Sequence, residues 1–361
     1  MTSPAVEPVA AADPVLQAKA AIEYCYQQGW TDGLPVVPAT RADVEAFLAT
    51  TDRAQDEVIG TASHLGRSIT VAQAAANTIM AGCKPEYFPV VLAAWDALNL
   101  ERSVRGGWQS TSGPAPLIVV NGPVRHRLGF NCEGGVFGPG FRPNATIARA
   151  IGLIVRNGYG IHPHELEQAT QGLPGRWSVC LGENEEASPW EPLSVVGGVE
   201  RGVDAVSAVL IRTCEYVDNR GTDNPEAVLT DFADTLARIG AYLGGGHSSG
   251  GIVLGPEHAQ LFGSHGYSRA DVQQWLFEHA VRDRADMVAA GKGDGPVSDP
   301  EQAGTPFRMM PSARDITILV AGAGNAAISM VFRPFGWSAW SGRSVPVAWS
   351  DAAGARALRE E

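Results

Sequence analysis

The spacing of apolar and polar positions along the chain predicts helices interleaved with strands. Capping boxes mark three helix starts: Thr40-Arg41-Ala42-Asp43, Thr70-Val71-Ala72-Gln73 and Ser268-Arg269-Ala270-Asp271. Apolar positions at helical spacing predict helices near 15–28, 85–95, 147–155, 226–243 and 268–281. Uninterrupted apolar runs predict strands near 116–120, 177–181, 206–213, 251–254 and 316–321. This order predicts an α/β or α+β fold, a mixed sheet flanked by helices with glycine-rich loops at the strand ends.

Three regions follow from this pattern. Residues 1–14 are rich in alanine and proline, which predicts a mobile arm. Residues 15–110 form a mainly helical N-terminal part, and residues 111–361 form an α/β part. One continuous domain over 15–350 is the alternative, because a chain of 361 residues accommodates either two domains or one large one.

Composition and charge exclude several classes of protein. With 45% hydrophobic and 18% charged residues, the chain can bury a substantial core. A net charge of −12 argues against a nucleic-acid partner, although a local basic site for a small anion remains open. The apolar runs are far shorter than a membrane span, and residues 1–14 lack the features of a signal peptide. Five scattered cysteines without a C-x-x-C pair predict free thiols in the cytoplasm.

Two familiar motifs occur in the wrong context. Gly246-His247-Ser248-Ser249-Gly250 matches a nucleophile elbow, but it precedes an apolar strand instead of following one. His247 and Ser248 remain candidate substrate contacts. Gly322-Ala323-Gly324-Asn325-Ala326-Ala327 follows a strand as in dinucleotide sites, but the acid expected about 20 residues later is missing. We therefore predict no nucleotide and no other cofactor.

Three histidines suggest an alternative, a metal-dependent enzyme. His247, His258 and His265 lie within a short stretch, and the alternative is that they converge with a carboxylate in a hydrolase or lyase site. Their spacing matches no familiar ligand set. The leading prediction therefore includes no metal.

The loop over 131–144 precedes the strongest predicted helix and is rich in glycine. Its backbone N–H groups, the helix start and Arg142 suit an anionic or nitro-like group, with Asn131, Cys132 and Asn144 beside it. The alternative is a structural loop in which Asn144 caps the helix.

Two further segments carry candidate catalytic groups. The loop over 180–192 follows a strand and contains Cys180, Glu183 and Glu185; clustered carboxylates can raise one another's pKa, which suits acid–base catalysis. Cys83 precedes a predicted helix start and neighbours Lys84, which predicts a reactive thiolate. A small buried thiol is the alternative for this cysteine.

Short distinctive strings lie at 29–40, 81–87, 121–123, 138–140, 144–146, 183–185 and 189–190. They resemble a bacterial family encoded beside small proteins that carry a UGSC-type selenocysteine or cysteine motif. The resemblance covers most of residues 15–290. It implies one enzyme-sized unit and points to the same loops, without assigning a chemistry. This chain departs from the family pattern at Pro38-Ala39-Thr40, where the family has Pro-Pro-Thr, and in the aromatic residues near its C-terminus.

Together these features predict a hydrolase or lyase for a small polar or aromatic, anion-bearing substrate. Cys83 or Cys180 is the candidate nucleophile, and Glu183 or Glu185 the acid–base group. A non-catalytic partner subunit or ligand-binding protein is the alternative outside enzymes. The aromatic segment 331–340, which contains Trp337, contains prolines and a glycine that exclude a regular amphipathic element. It therefore predicts a pocket or subunit contact in a homo-oligomer.

Overall fold

The computed structural model describes residues 13–101, 104–242, 249–292, 304–335 and 343–350. Its helices are α1 Pro14–Gln27, α2 Arg41–Leu48, α3 Val71–Met80, α4 Phe88–Asn99, α5 Val104–Gly107, α6 Val124–Arg127, α7 Arg142–Leu153, α8 Leu193–Val196, α9 Pro225–Leu236, α10 Pro256–Ser264, α11 Arg269–His279 and α12 Arg284–Ala289. Its strands are β1 Val58–Ala62, β2 Arg67–Thr70, β3 Ala115–Asn121, β4 Val179–Gly182, β5 Ala205–Asp218, β6 Gly250–Leu254, β7 Val281–Asp283, β8 Pro306–Arg308, β9 Ile316–Val320, β10 Ile328–Pro334 and β11 Ser344–Pro346.

Seven strands form a mixed sheet with helices around it, which confirms the predicted α/β class. Six follow the order β4-β3-β5-β10-β6-β9, and β11 pairs with the start of β5. β3 and β4 are parallel and β5 is antiparallel to them; β6, β9 and β10 repeat this arrangement. The two repeats join through the antiparallel β5–β10 pair. The sheet is therefore built from two similar strand–helix–strand–strand units.

The sheet packs on both faces. Its inner face forms one cluster with side chains from both repeats, including Leu117, Val253 and Phe332. On its outer face, the N-terminal helices α3, α4 and α7 cover the first repeat, and α9, α10 and α11 cover the second. The edge strands β4 and β9 approach each other at their carboxyl ends, where Asn184 N donates to Val320 O at 2.8 Å. This contact thus brings loops of both repeats together.

Local sequence signals located most elements correctly. All three predicted capping boxes form, and the five predicted strands are present as β3, β4, β5, β6 and β9. The helix predicted over 226–243 ends at Leu236, and Val281 begins β7 instead of extending α11. None of the described helices is both long enough and apolar enough to span a bilayer.

The first four residues of segment 331–340 form the end of a strand that the sequence analysis did not predict. They belong to β10, and Phe332 fills the inner core. A Cβ at Gly251 would lie 2.1 Å from the Phe332 ring, so this ring is accommodated only because β6 has glycine there. Trp337 lies outside the described residues.

Candidate functional site

A buried polar cluster lies at the carboxyl ends of β3 and β4, where α/β proteins commonly build their sites. Glu183, directly after β4, is fully buried. Asn121 Nδ2 and Leu193 N both donate to Glu183 Oε2, at 2.6 and 2.7 Å. Glu183 Oε1 and Asn121 Oδ1 have no hydrogen-bond partner. A buried oxygen without a hydrogen-bond partner lowers the stability of the fold. These two oxygens therefore have hydrogen-bonding capacity that the fold itself does not use.

Burial controls the protonation of Glu183. Removal from water raises the pKa of this carboxyl, and the opposing effects of the Asn121 hydrogen bond and the Arg269 charge are smaller. Because Oε2 accepts two hydrogen bonds, the proton belongs on Oε1. The raised pKa extends the protonated form of Glu183 to higher pH than usual, and the unpartnered Oε1 is the oxygen free to carry that proton.

The other carboxylates of this loop are held by a buried arginine. Arg125 is 3% exposed and donates to both Glu186 oxygens, at 3.0 and 2.9 Å, and to Glu183 O at 2.6 Å. Its hydrogen bond lowers the pKa of Glu186 to about 2. Glu185 accepts from Gly122 N at 2.8 Å and lies 3.1 Å from Arg125 Nε. Glu185 and Glu186 are thus engaged in ion pairs, whereas Glu183 is not.

Arg125 was missed from the sequence. Its signal is the string Asn121-Gly122-Pro123, which ends β3 and starts the short helix α6. Gly122 has φ +87°, and a Cβ there would lie 2.6 Å from Val203 O. The tight turn therefore needs glycine, and it directs the following arginine back across the end of the strand.

Asn131 and Asn144 fasten the glycine-rich loop to β4. Asn144 Oδ1 accepts from Asn131 N at 2.9 Å, and Asn144 Nδ2 donates to Asn131 O and Cys180 O at 3.1 and 3.0 Å. Helix α7 begins at Arg142 with Phe141 as its N-cap, so the expectation that Asn144 caps it is wrong. Arg142 is exposed and donates to Gly82 O at 2.9 Å. These side chains position the loop.

The tip of the same loop lines a cavity of about 380 Å³. Residues 134–138 form one wall, and residues 321–323 with 325–326 of the second repeat form another. Gly322 N donates to Cys132 O at 2.9 Å, which links the two loops. Among the described lining residues, Tyr216 is the one ionisable side chain. A larger cavity of about 730 Å³ beside β1 contains none of the predicted site residues in its lining.

The cysteines are not activated as the sequence suggested. Cys83 is 6% exposed, and burial raises its pKa to about 12. Burial also raises the pKa of Cys180 and of Cys132, although Arg125 Nη1 lies 3.9 Å from the Cys132 sulfur. The prediction of a thiolate at Cys83 is wrong, because the loss of water contact raises the pKa more than the nearby helix start and Lys84 lower it. The Lys84 Nζ lies 3.6 Å from the carboxylate of Glu86.

Alkylation should follow exposure in this structure. Cys214 is the only cysteine not classed as buried, although its pKa is also raised, to about 11. We expect a neutral-pH alkylating agent to label Cys214 first and Cys83 and Cys180 only on unfolding. Peptide mass spectrometry over a time course measures the order, and Cys214→Ser removes the fast phase. Early labelling of Cys83 would contradict the burial argument.

The described histidines do not form a metal site. His258 is 1% exposed; its Nδ1 lies 2.8 Å from Ser329 Oγ and its Nε2 lies 3.2 Å from Asn219 O. His265 Nδ1 lies 2.9 Å from Leu261 O. No cluster of three potential ligands occurs among the described residues. Both ring nitrogens of His258 are thus engaged in hydrogen bonds, and the metal-dependent alternative stays a prediction. His247 and Ser248 lie outside the described residues.

Comparison of the chain with protein-family models, with curated proteins and with solved structures finds no match. The resemblance to a bacterial family stays a prediction. Function is therefore inferred from the geometry of this chain.

Proposed function

We propose that this protein is a hydrolase or lyase in which the Glu183 carboxyl acts as general acid–base on a small, anion-bearing substrate. The observation that carries this proposal is the buried, unpartnered Oε1 of Glu183. A carboxyl with a raised pKa in a structured strand-end loop is typical of acid–base catalysts. It is the only one of the four predicted catalytic residues with both a perturbed carboxyl and a free oxygen.

The surroundings of Glu183 suit proton transfer in both directions. As an acid, its Oε1–H would donate a proton to a leaving oxygen or nitrogen, whose bond to carbon breaks. The resulting carboxylate keeps the hydrogen bonds from Asn121 Nδ2 and Leu193 N, which stabilise its charge. In a hydrolysis, the carboxylate takes a proton from a water whose oxygen bonds to that carbon. In an elimination, it takes the proton of an adjacent C–H, whose electron pair forms the new double bond as the leaving group departs. This role needs no thiolate, in agreement with the raised pKa of Cys83 and Cys180.

Turnover by the purified full chain tests the proposal. The panel contains small carboxylate-bearing esters, amides and hydroxy acids, each beside its neutral amide counterpart. We expect turnover of a carboxylate-bearing member and a rate that falls as pH rises through the raised pKa of Glu183, because the acid form is consumed. Absence of turnover across the panel, with ligand binding retained, would favour a ligand-binding protein instead.

An exposed apolar surface supports a homo-oligomer. Seven of the thirteen exposed large apolar side chains in the described part lie within residues 15–37, namely Val15, Leu16, Tyr24, Tyr26, Trp30, Leu34 and Val37. Helix α1 buries only Cys25. Apolar area of this kind marks contact sites, and most soluble assemblies join identical chains. We propose that α1 and the loop after it meet a second copy.

Sedimentation velocity should show a dimer or larger closed oligomer at micromolar concentration. Leu16→Glu, at a side chain that is 62% exposed, should shift the population toward monomer because it places a charge in the contact. Val203→Glu, at a side chain 37% exposed elsewhere, is the matched control. A wild-type chain that sediments as a monomer would contradict the proposal.

A further inference from the structure

A third cavity, of about 230 Å³, lies between α8, α11 and the edge strand β9. Its described lining contains four apolar and four polar residues, which are called the apolar half and the polar half. The apolar residues are Leu193, Val196, Ile316 and Ile318, and the polar residues are Arg269, Gln273, Arg314 and Thr317. None of these residues belongs to the predicted site, and the cavity is large enough for a small organic molecule.

The polar half carries two cationic side chains without a carboxylate partner. Arg269 is 9% exposed; its Nη2 donates to Glu191 O at 2.6 Å, and its Nε has no partner. Arg314 is exposed. No ion pair within the described ranges involves either arginine. A buried guanidinium without an anion is costly, so an anion in the cavity would compensate the Arg269 charge.

The nearby acids do not supply that anion. Glu183 and Glu191 are the carboxyls whose charge reaches Arg269. Burial raises the pKa of Glu183, which favours its neutral form. The Glu191 carboxylate already accepts from Arg201 Nε at 2.9 Å. Among its described lining residues, the cavity thus holds two arginines and no acidic side chain, although the chain as a whole is acidic.

The edge of β9 offers a further donor. Gln273 Nε2 donates to Ile316 O at 2.6 Å, and Asn184 N donates to Val320 O at 2.8 Å. Residues 316 and 320 thus direct their backbone groups to the edge of β9 that faces away from β6. Ala321 N points the other way and donates to Leu254 O of β6. By the alternation of a strand, Ile318 also directs its N–H to that edge, beside the cavity it lines.

From these contacts we infer that the cavity binds a short-chain carboxylic acid, with the carboxylate on Arg269 and Arg314 and the carbon chain against Leu193 and Val196. Guanidinium groups match the planar carboxylate, and the apolar half distinguishes such an acid from inorganic phosphate. The inference rests on the proposed function and names its substrate class. Leu193 lines the cavity and its N–H holds Glu183 Oε2 at 2.7 Å, so the bound chain would lie beside the proposed acid.

Binding of butyrate to the full chain, measured by isothermal titration calorimetry, tests the inference without requiring turnover. Butyramide is the neutral control of the same shape, and inorganic phosphate is the competing anion. We expect a dissociation constant on the order of millimolar for butyrate and no detectable binding of butyramide. Arg314→Gln should weaken butyrate binding about tenfold, because one charge-assisted hydrogen bond is lost. Arg269→Gln should weaken it further.

Arg220→Gln is the matched control, because Arg220 is exposed and pairs with Asp218 outside the cavity. If Arg269→Gln fails to fold, the butyrate affinity of Arg314→Gln is the test of the inference. Equal binding of butyrate and butyramide, preference for phosphate, or unchanged affinity in Arg314→Gln would overturn the inference. Butyrate binding without turnover of any substrate would leave this site standing and defeat the proposed function. Turnover that depends on Glu183, without butyrate binding, would support the proposed function and overturn this binding site.

Discussion

Glu183→Gln should lower turnover by about 10²–10⁴-fold while the chain remains folded. Glutamine has the shape of the carboxyl, and its side-chain oxygen can still accept from Asn121 Nδ2 and Leu193 N. The amide that replaces Oε1 cannot transfer a proton. The loss should fall on kcat, because the substitution removes an interaction made in the transition state.

The same variant should change the pH dependence of stability in a defined direction. The pKa of Glu183 is raised in the folded chain, so its contribution is fully present below the unfolded pKa and is lost as pH rises through the folded pKa. Glutamine does not titrate, and the variant should therefore lose less stability than the wild type as pH rises above the ordinary carboxyl range. Urea unfolding measures this difference. Infrared difference spectra should show one protonated carboxyl fewer.

Glu191→Gln is the matched control for this experiment. Glu191 lies in the same loop, is exposed and pairs with Arg201 at the surface. We expect unchanged turnover and an unchanged melting temperature. A large loss of melting temperature in Glu183→Gln with intact specific activity would instead make Glu183 a structural residue.

Arg125→Met should destabilise the fold by about 3–5 kcal/mol. The substitution keeps the apolar volume but leaves Glu185 and the backbone oxygen of Glu183 without their buried cation, whereas Glu186, 60% exposed, stays in contact with water. Removing one partner of a buried ion pair leaves the other charge buried without compensation. The resulting loss of folding free energy is larger than the net contribution of the intact pair. Urea unfolding at neutral pH measures the loss, and Arg201→Met, at an exposed pair, should leave the free energy of unfolding unchanged.

Acid titration identifies the origin of that loss. Arg125 lowers the pKa of Glu186 to about 2, so the stability from Glu186 is present above its unfolded pKa and is lost as pH falls toward 2. Arg125→Met should flatten this part of the stability curve. An unchanged acid profile, or a loss no larger than in Arg201→Met, would show that the ion pairs do not hold this loop.

Short-range patterns in the sequence determined the elements, and long-range packing decided the site. The capping box at Thr40 and the apolar run of β3 are local signals, because a side chain meets its partner three residues away or a whole strand is buried. Strand β10 was missed, because its residues become a strand only between β5 and β6.

The candidate site residues show the same division between what the sequence determines and what the tertiary structure determines. The sequence located Glu183 in a loop at a strand end, and the structure confirms that position. It could not show that Arg125 neutralises Glu185 and Glu186 while Glu183 stays unpaired, because those partners lie about 60 residues apart. The thiolate predicted at Cys83 failed for a related reason. A pKa depends on burial by segments distant in the chain, and tertiary structure alone determines which groups lose contact with water.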